Sequence, residues 1–161
     1  LVLLNSCQQD NESVNNTVSD NNLFRTALAN SSWMDSEGGL WSFAPDKIFL
    51  GMEANSSNCN YFKEGSYENI DYDGCMYNLV TNVITNEDQN SLTATQMVSS
   101  GTWSNGGGTC SGGEETIHFE KLNSNSITVT FYGETFTLVK INQPFDGSAC
   151  TDGTSSSGWL W

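Results

Sequence analysis

Alternation of apolar and polar residues between Glu115 and Lys140 constrains this chain more than any other feature. Side chains two apart on a strand share a face, so a period of two specifies a half-buried strand and its register. The run Glu115 to Leu122 carries Ile117 and Phe119 in phase, and the loop Asn123-Ser124-Asn125 follows. A three-residue loop pairs Phe119 with Val129 and Ile117 with Phe131. A two-residue loop would set His118 against Phe131 and Glu120 against Val129, so the apolar face selects the longer one. The next runs are Ile127 to Tyr132 and Thr135 to Lys140, around Gly133-Glu134. Glycine first in a two-residue loop is the type II′ signature, and it predicts Phe131 opposite Phe136 and Val129 opposite Leu138. The threonines then share the opposite face. Three consecutive strands form a meander with one apolar face.

The same reasoning extends backwards. Leu40 to Ala44 meets Lys47 to Leu50 around Pro45-Asp46, a tight turn that sets Phe43 opposite Ile48 and Trp41 opposite Leu50. Cys75 to Thr85 and Ser91 to Ser99 read as strands joined by Asn86 to Asn90, and a shorter strand lies around Asn60 to Lys63. Leu23 to Ala29 is the one segment with the pattern of a short helix. The expected fold is all-β. About eight strands in an antiparallel up-and-down meander best avoid raw edges by closing into a small barrel.

Composition narrows the function classes. Five Lys+Arg face 19 Asp+Glu, for a formal charge of −14, a field that repels nucleic acid and anionic membrane surfaces. A nucleic-acid function is therefore set aside. Five cysteines and a single histidine, His118, give no close Cys/His pairs for a metal. His118 falls among the threonines, away from the apolar face. Asn69 to Gly74 has the alternating oxygen ligands of half a calcium loop, but Val80 stands where the motif needs Glu, so the segment reads as an acidic turn. There is no Ser–His–Asp set, nucleophile elbow or phosphate loop, and the expectation is no enzyme, no cofactor and no metal.

The scattered cysteines point to an oxidising compartment. One stands apart. Leu4-Asn5-Ser6-Cys7, after Leu1-Val2-Leu3, resembles the lipobox of bacterial lipoproteins. The resemblance implies removal of residues 1–6 and lipidation of Cys7. Residues 7–22 are almost wholly polar and read as a disordered tether. The stretch Gln8 to Glu12 resembles the acidic signals that follow the lipid cysteine in surface lipoproteins of Bacteroidetes. An outer-membrane lipoprotein is implied, on the cell surface or the periplasmic face. Cys59, Cys75, Cys110 and Cys150 remain for disulfides. Cys59–Cys75 with Cys110–Cys150 is the favoured pairing, although sequence alone leaves all three combinations open.

Lipid cysteine, polar tether, short helix, the Ser32-Trp33 start and then a β-meander together resemble the lipocalin-like lipoproteins of Bacteroidetes, over residues 23–142. That resemblance implies a barrel whose mouth binds a small apolar or amphipathic ligand. Trp41, Phe43, Phe131 and Phe136 are the candidate lining residues. The alternatives are a non-catalytic accessory subunit docking to an outer-membrane protein complex, and a surface glycan binder. Residues 99–113 read as a long Gly-rich loop, and residues 143–161 as a C-terminal tail ending in the apolar Trp159-Leu160-Trp161.

Overall fold

The computed structural model describes residues 23–52 and 60–143. Cys7, Cys59, Cys150, the tether and residues 144–161 of the tail lie outside them. The described chain is all-β and antiparallel, with one short helix, α1 (Phe24–Ala27). Its strands are β1 (Ser32–Met34), β2 (Leu40–Phe43), β3 (Lys47–Met52), β4 (Tyr61–Lys63), β5 (Gly65–Tyr72), β6 (Cys75–Glu87), β7 (Ser91–Val98), β8 (Gly101–Trp103), β9 (Thr109–Cys110), β10 (Gly113–Asn123), β11 (Ser126–Phe131) and β12 (Glu134–Ile141). They form one sheet, in the order β4-β3-β2-β1-β12-β11-β10-β7-β6-β8-β9, with β5 paired to β6.

The eight expected strands are present, but the sheet has twelve and its ladder is not closed into a barrel. The additional strands are short or polar. β1 has three residues, and β8 and β9 form a small hairpin inside the Gly-rich loop. β5 carries Glu68, and also Asn69 and Asp71 from the segment expected as an acidic turn, and it turns into β6 through Asp73-Gly74. Both turn residues have positive φ, 48° and 79°, as a type I′ turn requires, so the calcium-like segment is the end of a hairpin.

The ends of the sheet nevertheless approach each other. β4 pairs with β3, and one residue later β5 pairs with β6. Glu64 is the hinge between them. Asn82 Nδ2 donates to the Lys63 carbonyl at 3.1 Å, and the Ile84 amide donates to Glu64 Oε1 at 3.1 Å. Side chains thus bridge the gap between β4 and β6 where backbone pairing is absent.

The β10–β11 register is the expected one, with Ile117 opposite Phe131 and Phe119 opposite Val129. A bulge between Lys121 and Asn123 adjusts the turn. The β11–β12 register is corrected. Its loop is Tyr132-Gly133, with φ of 52° and 76°, a type I′ turn in place of type II′. Val129 therefore faces Phe136, and Ile127 faces Leu138. The slip keeps every apolar residue on its face and gives Ile127 an apolar partner. In the β2–β3 hairpin Phe43 faces Ile48 as expected, but an irregularity between Leu40 and Ser42 interrupts the pairing expected for Trp41.

The favoured disulfide pairing is also corrected: Cys75 bonds Cys110. β8 pairs with β6 on one side and with β9 on the other, which brings Cys75 and Cys110 to the two flanks of one short strand. The bond passes over Gly101, where a Cβ would lie 2.8 Å from Cys75 Sγ. Closing a chain separation of 35 residues stabilises by about 4 kcal/mol in the chain-entropy account.

The larger of two buried clusters among the described residues fills one end of the curled sheet, and Val80 with Val98 forms the second. Phe24 of α1 is fully buried and meets Phe43 edge-on, with ring centroids 5.3 Å apart. Phe43 meets Phe119 in the same way at 5.3 Å. Trp33, Leu92, Ile127 and Leu138 belong to the same cluster. The four-residue helix has no side-chain cap of its own. Glu87 at the end of β6 supplies one, accepting the Arg25 amide at 2.8 Å and the Arg25 guanidinium at 2.8 Å. Arg25 also reaches Glu64 at 3.4 Å. The Arg25 and Glu87 side chains are only 12% and 7% exposed, so loss of one strands the other. Arg25→Ala is expected to lower stability by about 3 kcal/mol in urea unfolding, and Lys121→Ala to change it by under about 0.5 kcal/mol. Equal, small effects would contradict this role.

Candidate binding site

Alternation sends Ile127, Val129 and Phe131 of β11 to the inner face, with Phe136 and Leu138 of β12 and Phe119, Ile117 and Glu115 of β10. Burial along these strands is graded. Phe119, Ile117, Ile127, Val129 and Leu138 are buried to 1% exposure or less. Further towards the Tyr132-Gly133 turn, Phe131, Phe136 and Glu115 are only partly buried. On these three strands burial is complete towards α1 and partial towards the β11–β12 turn, while on β6 and β7 a second buried pair, Val80 and Val98, lies at that same end.

The four aromatic candidates separate along this gradient. Phe43 is at the α1 end, held between Phe24 and Phe119, and is a core residue. Trp41 lies between the ends, 6.2 Å from Phe119 and 5.7 Å from Phe136 by ring centroids. Phe131 and Phe136 are at the end of the β11–β12 turn. Trp41 is positioned by its neighbours. Its Nε1 donates to Asp35 Oδ2 at 2.8 Å, and Asp35 is itself fixed by the Glu37 and Gly39 amides. Gly51, with φ of +54°, sits at the β2–β3 irregularity, and a Cβ there would lie 3.5 Å from the indole.

Polar residues stand on the same inner face. In β7 the alternation Leu92, Ala94, Gln96 places a fully buried amide among apolar side chains. Gln96 pairs with Asn82 of β6 and Glu115 of β10. The hydrogen bonds fix both amides. The Lys63 carbonyl can only accept, so Asn82 turns its NH2 towards it. Asn82 Oδ1 then accepts from Gln96 Nε2 at 2.8 Å. Gln96 Oε1 is left buried with no partner. Such an acceptor costs about 1–3 kcal/mol.

Sequence reasoning missed Asn82, Gln96, Glu115, Tyr132 and Asp35. Gln96 had a signal, because it breaks an apolar period of two. The others depend on pairings that only the folded sheet reveals. His118 points outward and bonds Thr93 Oγ1 through Nδ1 at 2.9 Å. Among the described residues no group of acidic, His and Cys side chains is arranged to hold a metal. A separate cleft of about 320 Å³ lies at the α1 end, between residues 27–32 and 140–143. No known family, curated protein or solved structure matches the chain, so the site is read from its own geometry.

Tyr132 stands at the β11–β12 turn, its ring centroid 4.1 Å from that of Phe131. Loss of water around the phenol, then the negative charge of Glu115 and the proximity of Tyr72, push its pKa up to about 12. The folded value exceeds the unfolded one of about 10. Its contribution to stability is therefore complete below about pH 10 and is lost as pH rises through about 12. Spectrophotometric titration should show a tyrosine ionising near pH 12 that disappears in Tyr132→Phe and moves down in Glu115→Gln. A Tyr132 that ionises with the bulk of the tyrosines would contradict this placement.

Proposed function

We propose that the chain is a non-catalytic, lipid-anchored binding module of lipocalin-like build that holds a small apolar or amphipathic ligand. The grade of burial along β10, β11 and β12 carries this reading. One end is packed with Phe24, Phe43 and Phe119, and the inward aromatics at the other end stay partly exposed.

The Glu64 junction supports a barrel-like enclosure. β4 and β5 act as two halves of one bent strand, the first held by β3 and the second by β6. Counted in this way the sheet returns to its start. Barrels of about this size enclose either a packed core or one small ligand. Trp41, Phe131 and Phe136 form the ligand-facing set, and Phe43 belongs to the floor beneath them. Cys7 provides the anchor in this proposal, attaching the module to the outer membrane through the tether.

Native mass spectrometry of the protein extracted from its own membrane in mild detergent tests the whole reading. The expected spectrum carries an acylated Cys7 and a small ligand lost on denaturation. A chain that carries no small molecule and co-purifies with a large membrane protein would replace the binding module with an accessory subunit. An acyl-free chain beginning at Leu1 would remove the anchor.

A further inference from the structure

Asn82, Gln96 and Glu115 share the inner face with Phe131 and Phe136. Each carboxamide nitrogen there makes one hydrogen bond, and so does the Trp41 indole N–H. Asn82 Nδ2 is taken by the Lys63 carbonyl, Gln96 Nε2 by Asn82 Oδ1, and Trp41 Nε1 by Asp35. Among the described residues the one buried side-chain oxygen or nitrogen left with no partner is an acceptor, Gln96 Oε1. The cross-strand neighbour on the same face is Glu115, which offers a carboxylate. The chain as a whole carries a formal charge of −14.

Resting on the binding reading above, we infer that the ligand is an apolar body bearing an uncharged or cationic hydrogen-bond donor, a hydroxyl or an ammonium, received by Gln96 Oε1. Anionic heads are refused. A carboxylate has no proton to give the amide oxygen and would stand beside Glu115 in a low-dielectric setting where like charges repel strongly. A donor head supplies the hydrogen bond that Gln96 Oε1 lacks. Solvent does not reach Oε1, so the head arrives only as rim side chains turn aside. Ligand binding then exchanges an unsatisfied acceptor for a satisfied one, which favours donor heads over equally apolar molecules without a donor.

Calorimetric titration of the full chain at pH 7 with three probes of equal chain length tests this. The probes are 1-decanol, decyl methyl ether and decanoate. Decanol is expected to bind about tenfold more tightly than the ether, and decanoate more weakly than decanol by at least about tenfold. Gln96→Met should remove the preference for decanol while leaving ether binding in place, which also shows that the variant is folded. Glu115→Gln should narrow the gap between decanol and decanoate. Equal affinities for decanol and ether in the unaltered protein would overturn the inference, as would a preference that survives Gln96→Met. In both cases binding of an apolar ligand would stand. Failure of all three probes to bind would overturn the apolar-ligand reading itself, and the inference with it.

Discussion

The Arg25–Glu87 pair is the interaction on which the rest of this structure depends. Glu87 sits at the end of β6 and accepts both the backbone amide and the guanidinium of Arg25. Arg25 belongs to a helix of four residues, too short to be stable in water by itself. The pair holds that helix over one end of the curled sheet and keeps Phe24 against Phe43 and Phe119. Through Glu64 it also reaches the junction of β4 and β5. One of only five basic residues, in a chain with 19 acidic ones, is therefore placed where helix, β4–β5 and β6 converge.

The larger cluster at the α1 end gives the interior a direction. Below Trp41 the space is filled by interlocking aromatic and branched side chains, and little there can rearrange without loss of packing. Beyond it, Asn82, Gln96 and Glu115 share the inner face with the aromatics Phe131 and Phe136. The Cys75–Cys110 bond stabilises the hairpin of β8 and β9 against β6. The α1 end holds the larger buried cluster, and the buried Gln96 oxygen beyond it stays without a partner. This division is common where a fold gives up some local stability for recognition.

Much of this fold was legible in the sequence, for a simple physical reason. Period-two alternation fixes the face of each strand independently of its partner. The pairs Ile117–Phe131 and Phe119–Val129 follow from that alone. The β11–β12 register was missed because both candidate turns keep the same faces inward, so alternation cannot tell them apart. Tyr132 in a left-handed conformation carries no sequence signal comparable to Asn-Gly. The disulfide was missed because it depends on β8 and β9, two short strands within a Gly-rich stretch. Of the site, Trp41, Phe131 and Phe136 were legible as inward aromatics. Phe43 was indistinguishable from them, since sequence does not show which end of a strand is plugged. The unpartnered oxygen of Gln96 emerges only when β6, β7 and the Lys63 carbonyl are brought together.

The proposed binding places the ligand at the Tyr132-Gly133 end of the interior, away from α1. Hydrogen–deuterium exchange of the full chain, with and without saturating 1-decanol, tests it most directly. The account predicts added protection confined to the segments around Gln96 and around Phe131 to Phe136, and none at α1, which is already packed. Protection that instead appears at α1 and the ends of β1 and β12 would place the ligand at the opposite end and contradict the account.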